Sequence, residues 1–512
     1  MSRLLLVLSV VAPLAAVPPV PARSAEPEAL EALVLAALES SLELQIERVE
    51  PVIASRSILD AQAQFDPLAQ FSVERADSNR FANSVLEISS DLAGGTIAET
   101  RVTPQGSFQG KLFNGAEYNF SATTPVDDTD NPLRIYDRSY TPSLSASITQ
   151  PLMRDAGTRV NRLRIDQARA GTRHAWQGVS AKVLQVVRDA ESAYWSLAEA
   201  QRRLDLLHDN LGTREQRSEI ARGMAAHGLI SDSDARSAEI SAEERRADLV
   251  QAQADLARAR VQLREVLGGD AVRADAVEPA LDLPSEPPPL ANAATLVKLA
   301  VVRRPEIQAQ QSVIDGLAAE ERLARNDLRM RFDAVGSLGY TGLSGSDPVD
   351  RPLQPLPPGL VGKDTYLDAF QDMAFNWMVG FQLSIPIGNR AAQARLGADR
   401  DRIAQERMRL DLLKSQIGAE VESTLQETIA AWSYFQSSLK ITDLTLENLH
   451  DEERRRAAGL STDADVLDAK DSLASAQDRL LQRHLAYALA RARLQAADGG
   501  TFDVYHLQQD LN

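Results

Sequence analysis

The chain has 512 residues, a formal net charge of −17 and no cysteine. The acidic balance argues against a nucleic-acid partner, since phosphate binding needs a basic surface. The lack of cysteine excludes disulfides and lipidation at a cysteine. Aromatic residues make up only 5% of the chain. Ala, Leu, Arg and Glu are abundant, which is typical of long helices that pack through small side chains.

The first residues have the pattern of a secretory signal peptide. Arg3 supplies a positive charge, Leu4–Ala16 is apolar, and small residues at Ala22–Ala25 offer a cleavage site. A membrane anchor is the alternative, but Pro13 interrupts the apolar run and leaves it short for a spanning helix. We therefore expect residues 1–25 to be cleaved on export. No later segment reaches the ~18 uninterrupted apolar residues of a transmembrane helix.

The start of the mature chain predicts a helix followed by strands. One face of a helix over 26–64 would carry Leu30, Leu33, Val34, Ala37 and Leu38. Residues 65–152 are rich in Gly, Ser, Thr and Asn, and apolar residues alternate with polar ones, as a strand requires when its two faces meet different media. Pro151 then ends the last strand, because proline cannot donate to a ladder. The insertion near 78–103 is either an ordered strand extension or a mobile loop.

Two very long helices follow, and the whole order then repeats. The first structural repeat is 26–269, with long helices over 158–226 and 229–267, and a Pro-rich linker follows at 270–291. The second repeat is 292–498. It holds a helix over 292–330, strands over 332–386 that end at Pro386, and long helices over 390–457 and 462–498. Residues 499–512 form a C-terminal tail.

The two repeats share a motif at the turn between their long helices. Gly228–Asp234 (GLISDSD) recurs as Gly459–Asp465 (GLSTDAD). After each copy, residues seven apart form a series, from Ala235 to Leu263 and from Val466 to Leu494, with alanines beside most of them. Such seams let helices approach closely. A repeated long-helix unit predicts a repeat-built assembly rather than a globular enzyme.

The predicted strands are few for an independent sheet. A half-buried soluble sheet is the usual interpretation of alternation, but a pair of isolated strands is marginal in water. Strands that several chains pool into one closed barrel would have no exposed edges and could cross a bilayer. An ordinary two-stranded coiled coil is the simple interpretation of the helices. Helices pooled between subunits could instead wall a tube.

No residue pattern indicates an enzyme. The six histidines show no H-x-x-x-H spacing, and the sequence has no Walker A loop. The segment 342–346 only half resembles a nucleophile elbow and lacks its final glycine. We therefore predict no catalytic residue, no metal and no cofactor.

Three segments carry a family resemblance: Ile148–Gly157 and Leu383–Gly388 at the two strand-to-helix junctions, and Ala464–Ala469 at the start of the last long helix. With these segments, the chain resembles the TolC-like outer membrane efflux proteins over nearly its whole mature length. The resemblance implies a mixed α+β membrane protein that forms a homotrimer. Each subunit would give four strands to a 12-stranded outer membrane β-barrel. A barrel of long α-helices would continue it into the periplasm.

The resemblance also implies a gate. The aperture acids of the family fall on Asp465 and Asp468, which share one helix face. Threefold symmetry would stack two rings of carboxylates there, and such rings attract cations and influence gating. The alternative is that aspartates in the first turns stabilise the helix N-terminus.

The resemblance further places the periplasmic tips at Gly228, Leu229, Gly459, Leu460 and Ser461, where an adaptor would dock. Asp234 matches an acid that holds the closed tip through contacts between helices. Its partner in the family is commonly an arginine at the position of Ser461, so the lock must differ here. The run Arg454–Arg456 is one substitute, although such a run is more often a solvated helix face.

The function that the resemblance implies is a passive outer membrane channel of a tripartite efflux pump or a type I secretion system. Its partners would be a periplasmic adaptor, an inner membrane pump of the RND or ABC type and outer membrane lipid. The alternative function is a soluble periplasmic coiled-coil scaffold or adaptor, which would need no detergent.

Overall fold

Helices and strands occur in the predicted order. The computed structural model describes residues 28–83, 87, 95–131, 134–269, 277, 287, 292–346, 365–371, 373–505 and 507. The predicted signal peptide lies outside the described residues. So does the predicted linker, except for two single positions.

The helices follow the predicted ranges closely. They are α1 (Glu28–Ser40), α2 (Leu42–Glu47), α3 (Val49–Ala63), α4 (Thr158–Asn161), α5 (Leu163–Ala226), α6 (Asp232–Val266), α7 (Ala293–Arg303), α8 (Pro305–Asp327), α9 (Arg390–Ala457), α10 (Asp463–Ala497) and α11 (Thr501–Val504). The predicted helix 292–330 is divided into α7 and α8. Pro305 forces the preceding residue out of the helical region, and Arg304 is extended. In the described part of the chain, no helix is both long and apolar enough to cross a membrane.

The chain forms two compact units. The helical unit comprises the described residues of 1–47, 178–307 and 412–512, and the sheet unit comprises those of 48–177 and 308–411. The divisions at 178 and 412 fall inside α5 and α9, so each of these helices contributes to both units.

Small side chains pack along the long helices of the helical unit. The buried residues of α6 are Ala235, Ala242, Ala252, Ala259 and Leu263. Those of α10 include Val466, Ala469, Ala476, Ala490 and Leu494. These residues belong to the predicted seven-residue series and the alanines beside them, which confirms that the series mark packing seams. The hydroxyl of Thr428 on α9 also donates to the backbone oxygen of Ala490 on α10 at 3.1 Å.

An aromatic cluster lies within the helical unit. The rings of Trp195 and Phe435 flank His484 at centroid distances of 6.2 and 5.4 Å, and Trp432 packs on Tyr487 at 5.0 Å. His484 is 1% exposed, and burial lowers its pKa to about 4. The imidazole is therefore neutral at ordinary pH and acts as part of the core.

The two ends of the described chain also pack in the helical unit. The residues predicted on one face of the first helix are all buried: Leu30, Leu33, Val34, Ala37 and Leu38. The predicted C-terminal tail begins as a packed segment, because Phe502 and Tyr505 are buried. The Tyr505 hydroxyl donates to the Glu191 carboxylate at 2.5 Å.

The described strands form one antiparallel sheet in the sheet unit. They are β1 (Leu68–Phe81), β2 (Thr96–Lys111), β3 (Glu117–Thr123), β4 (Val126–Thr129), β5 (Arg138–Tyr140), β6 (Ser143–Pro151), β7 (Arg331–Thr341), β8 (Ser344–Gly345) and β9 (Ala374–Ser384). β3 and β4 are consecutive segments of one long strand, and both pair with β2. β5 and β6 are likewise consecutive, and they lie between β3–β4 on one side and β7–β8 on the other. The segments therefore align as six long strands, in the order β1, β2, β3–β4, β5–β6, β7–β8 and β9.

This sheet has more long strands than the four per subunit that the resemblance implies for the barrel. Residues 65–152 alone form four long strands and 332–386 add two. The extra pair arises because the chain reverses at Asn114 and Gly115 between β2 and β3. Gly115 has φ +92 there, a conformation that glycine adopts without strain. The described ends of the insertion near 78–103 are ordered parts of β1 and β2.

We predict that enlarging the seam residue Ala476 destabilises the protein. Ala476 is 1% exposed, and overfilling a packed site costs about 1–3 kcal/mol of unfolding free energy. Ala476→Leu should therefore lower the denaturant midpoint in chemical denaturation followed by circular dichroism. Ala464→Leu, on the same helix but exposed, is the matched control and should change little. Equal midpoints for the two variants would mean that the seam is not tightly packed.

Candidate functional site

One face of the sheet is apolar and exposed. Side chains alternate along a strand, and the register places the following residues on one face: Phe71, Phe108, Phe120, Leu144, Leu338, Trp377, Val379 and Phe381. On β9, Trp377, Val379 and Phe381 are 69%, 72% and 70% exposed. An exposed apolar surface that crosses six strands indicates contact with an apolar medium or another protein.

The opposite face of the sheet is polar. It carries Ser107, Ser121, Ser145, Ser147, Ser337, Asn376 and Gln382. The hydroxyls of Ser121 and Ser145 lie 2.6 Å apart on neighbouring strands. The sheet is therefore amphipathic over its whole width, as the alternation in sequence predicts.

The two outer strands of the sheet have free edges in the described chain. β1 pairs only with β2, over 14 positions, and β9 pairs only with β7, over 11 positions. Unpaired edges of this length present backbone donors and acceptors that another strand can bind.

Hydrogen bonds join the first strand-to-helix junction to the end of α8. Pro151 is the buried last residue of β6, and β9 ends at Ser384, just before the exposed Pro386. Beyond Pro151, Asp155 exchanges two bonds with Asn326 at the end of α8. The Asp155 N–H donates to Oδ1 of Asn326 at 3.2 Å, and its carboxylate accepts from Nδ2 at 2.7 Å. The first junction is thereby tied to a helix of the second repeat.

The first tip turn joins α5 to α6. Gly228 has φ +74, and the Leu229 N–H donates to the Met224 carbonyl at 2.9 Å, which closes the end of α5. Ser231 and Asp234 then form a reciprocal capping box at the start of α6, where the Asp234 carboxylate accepts from the Ser231 hydroxyl at 2.8 Å. Asp234 therefore bonds to Ser231, within the turn that joins α5 and α6. We call α5 and α6, and likewise α9 and α10, a helical pair.

The second tip turn, between α9 and α10, repeats this geometry. Gly459 has φ +71, and Leu460 donates to the Arg455 carbonyl at 2.8 Å. Thr462 and Asp465 form the capping box, with the Thr462 hydroxyl 2.6 Å from the Asp465 carboxylate. Leu229 and Leu460 occupy matching positions in the two turns and are 70% and 72% exposed.

Asp465 therefore caps the N-terminus of α10. A helix-stabilising role of this kind was the alternative to a place in the aperture. Hydrogen bonds from the Thr462 hydroxyl and backbone, and then from the Ser461 hydroxyl, hold the pKa of Asp465 below its ordinary value. The carboxylate stays ionised and exposed at the tip. Its place in the cap does not conflict with a second role at an aperture, which remains a prediction.

The arginines before the second tip bind acids of their own helical pair. Arg455 pairs with Glu452 at 3.2 Å, Arg454 pairs with Asp451, and Arg456 pairs with Asp463 across the turn. The Ser461 hydroxyl donates to Glu452 at 2.9 Å. In the described structure the arginine run thus stabilises the second tip itself and does not bind Asp234.

A different arginine joins the two helical pairs. Arg217 on α5 contacts Asp468 at 2.6 Å and Asp471 at 3.2 Å, both on α10. Arg214, one turn earlier, contacts Asp471 at 2.8 Å. We name these four residues the tie. Sequence reasoning missed the arginines, although their i, i+3 spacing matches that of the two aspartates, because only the fold brings α5 next to α10.

The members of the tie differ in exposure. The Asp468 side chain is 63% exposed, whereas that of Asp471 is 18% exposed. Burial raises the pKa of Asp471, and Arg214 and Arg217 offset this only in part. Asp471 therefore takes up a proton at a higher pH than an ordinary aspartate does.

Within the described residues, no group of His, Asp and Glu is arranged to hold a metal ion. The arrangement consists of ion pairs, helix caps and an amphipathic sheet.

We predict that Gly115→Ala destabilises the junction. An added Cβ would lie 2.3 Å from the Asp155 carbonyl and 2.7 Å from the Asn161 side chain, and φ is positive. The expected cost is about 2–4 kcal/mol. Gly212→Ala in α5 meets nothing within 4 Å and should stabilise by about 0.5–1 kcal/mol. Thermal unfolding compares the two, and a neutral Gly115→Ala would contradict this geometry.

A protein-family model matches most of the chain. The model described as outer membrane efflux protein matches residues 117–269 and 296–500, well over half of the sequence. Among curated proteins, Protein CyaE of Bordetella pertussis (strain Tohama I / ATCC BAA-589 / NCTC 13251) is 26% identical over 344 residues. That alignment covers 65% of this chain and 65% of the relative, so the chain spans somewhat less than two thirds of its length.

Solved structures share the fold. The outer-membrane channel OprN has a TM-score of 0.63 at 16% identity, with 93% of this chain and 91% of that chain covered. The outer membrane protein VceC of Vibrio cholerae has a TM-score of 0.59 at 18% identity, with 92% and 96% covered. The MtrE outer membrane channel of Neisseria gonorrhoeae has a TM-score of 0.56 at 17% identity, with 92% and 88% covered. Together with the family match, these findings show that the chain belongs to the outer membrane efflux proteins, a family of channels rather than enzymes.

Proposed function

We propose that this protein is a passive exit channel in the outer membrane, assembled as a homotrimer. The observation that carries the proposal is the amphipathic sheet, whose exposed apolar face suits lipid and whose polar face suits a water-filled lumen. Three copies would pool their sheets by pairing free edges, and α5, α6, α9 and α10 of each copy would wall a periplasmic tube. Energy would come from a partner, because the chain has no nucleotide-binding loop.

The partners follow from the exposed tips. Leu229 and Leu460 are large apolar side chains at the ends of the two helical pairs, and most of their surface is exposed. We propose that they contact a periplasmic adaptor, which links the channel to an inner membrane pump of the RND or ABC type. The channel would serve a tripartite efflux pump or a type I secretion system.

A soluble periplasmic scaffold is the weaker candidate. It accounts for the helical seams, but in water the apolar face of the sheet and both free edges would stay exposed. A scaffold would remain in the soluble periplasmic fraction. A trimer that needs detergent and shifts in mobility on heating is the result expected of the channel.

We propose that the tips also form the gate. Asp465 and Asp468 lie one turn apart at the exposed start of α10, so threefold symmetry would give two carboxylate rings. Asp234 occupies in α6 the position that Asp465 occupies in α10. Opening would require the helical pairs to part, and the tie of Arg214, Arg217, Asp468 and Asp471 would resist this within each copy.

We predict that the carboxylate rings govern block by divalent cations. In planar bilayers, the wild type should form small cation-selective channels that divalents block. Asp465→Asn/Asp468→Asn should relieve the block, and asparagine keeps the cap acceptor at 465. Asp443→Asn/Glu447→Gln neutralises two exposed carboxylates of α9 and should leave the block unchanged. Equal block in both double variants would move the gate elsewhere. Protein that forms no channels and needs no detergent would favour the scaffold.

We predict that Arg217→Ala raises single-channel conductance, because it releases Asp468 and weakens the hold on Asp471. Arg222→Ala is the matched control. Arg222 pairs with Glu239 on α6, inside one helical pair, so its loss leaves the tie intact. If both variants behaved like the wild type, the tie would have no part in opening.

The same tie gives a pH dependence of known sign. Burial in the tied arrangement raises the pKa of Asp471, so a proton binds more tightly there than to an exposed Asp471, and acidification favours the tied, closed state. Wild-type conductance should therefore fall on acidification. Asp471→Asn, which resembles the protonated acid, should show the lower value already at neutral pH.

A further inference from the structure

The sheet contains a hairpin that the family pattern does not predict. We name it the inserted hairpin: Thr96–Thr129, which comprises β2 and β3–β4. It follows β1 and precedes β5–β6. Without it, the first repeat would contribute two long strands, as the second repeat does with β7–β8 and β9.

The inserted hairpin is built into the sheet and does not lie over it. β2 pairs with β1 at 14 positions on one side and with β3 and β4 on the other. β3 pairs with β6 at seven positions. Each of its strands therefore has two hydrogen-bonded neighbours, and removing the hairpin would break both ladders.

The inserted hairpin also continues both faces of the sheet. Phe108 and Phe120 face each other in register on the apolar side and are 43% and 51% exposed. Ser107 and Ser121 face each other on the polar side. β2 has 16 residues, which is enough to cross a bilayer at the usual tilt of about 45°. The hairpin thus has the length and the patterning of a membrane-spanning pair.

The family match divides the four long strands of the first repeat. It begins at residue 117, so β1 and β2 lie outside it, whereas β3–β4 and β5–β6 lie inside it. The matched residues thus contain two long strands of each repeat, and the first repeat has two more.

We propose, building on the trimeric channel proposed above, that each copy gives six strands to the barrel and that three copies close an 18-stranded barrel. β1 and β9 are the first and last of six alternating strands, so they run in opposite directions. The β9 edge of one copy can therefore pair antiparallel with the β1 edge of the next, and a threefold ring closes without a free edge.

The consequence is a wider pore. Barrel diameter grows roughly in proportion to strand number, so 18 strands give a barrel about 1.5 times as wide as 12 strands, with an aqueous channel inside. The narrowest point of the duct would then lie at the helical tips, and the barrel would pass any cargo that the tips admit.

Single cysteines test the proposal, because the natural chain has none. Phe120→Cys and Ser121→Cys are neighbours on β3 that face opposite sides of the sheet. Phe381→Cys and Gln382→Cys are the matched pair on β9. Intact outer membranes are treated with a water-soluble maleimide that can enter the lumen. We expect both polar-face cysteines to react and both apolar-face cysteines to react only after the membrane is dissolved and the protein denatured.

The outcomes separate the strand number from the channel itself. If Phe120→Cys reacts as fast as Ser121→Cys while Phe381→Cys stays protected, the inserted hairpin lies outside the bilayer and the 18-stranded barrel is wrong. If Phe381→Cys also reacts in intact membranes, the channel proposal fails. The mass of the detergent-solubilised complex supplies the copy number, and a value other than three copies would overturn the count of 18.

Discussion

The structure depends on the pairing of the sheet. Its apolar face, with Trp377, Val379 and Phe381 largely exposed, and its unpaired edges at β1 and β9 cannot all be satisfied by one chain in water. Lipid can cover the face, but it offers no hydrogen bonds, so within a membrane the backbone of an edge needs another strand. The apolar face of the sheet is therefore suited to a membrane, and its free edges are suited to strands of further copies. The membership of the chain in the outer membrane efflux proteins agrees with both.

The two tip turns between the long helices share the same local hydrogen-bonding pattern. Each tip has a glycine at positive φ, an exposed leucine, and a hydroxyl residue that forms a capping box with an aspartate three residues later. These contacts are internal to each turn, so the tips are well defined before any partner binds. The tie adds ion pairs between α5 and α10, which are far apart in the sequence.

Much of this could be predicted from the sequence. Helical periodicity located α9 and α10 to within one residue, and strand alternation located the two faces of the sheet. The number of strands was not predicted, although Asn114 and Gly115 are a strong hairpin signal, because the resemblance implied four strands per subunit. Arg217 was missed because its partner lies about 250 residues away in sequence, at Asp468. Local patterns fix elements and caps, whereas contacts between distant helices come only from the fold.

Residues beyond the end of the family match pack into the folded protein. The family match stops at residue 500, yet Phe502 and Tyr505 are buried beyond it, and Tyr505 supplies a hydrogen bond to Glu191, which is 4% exposed. A chain cut at the family boundary would leave this buried carboxylate without that donor, at a cost comparable to other unsatisfied polar groups. Residues 501–505 thus belong to the helical unit, and the helical unit extends beyond the end of the family match.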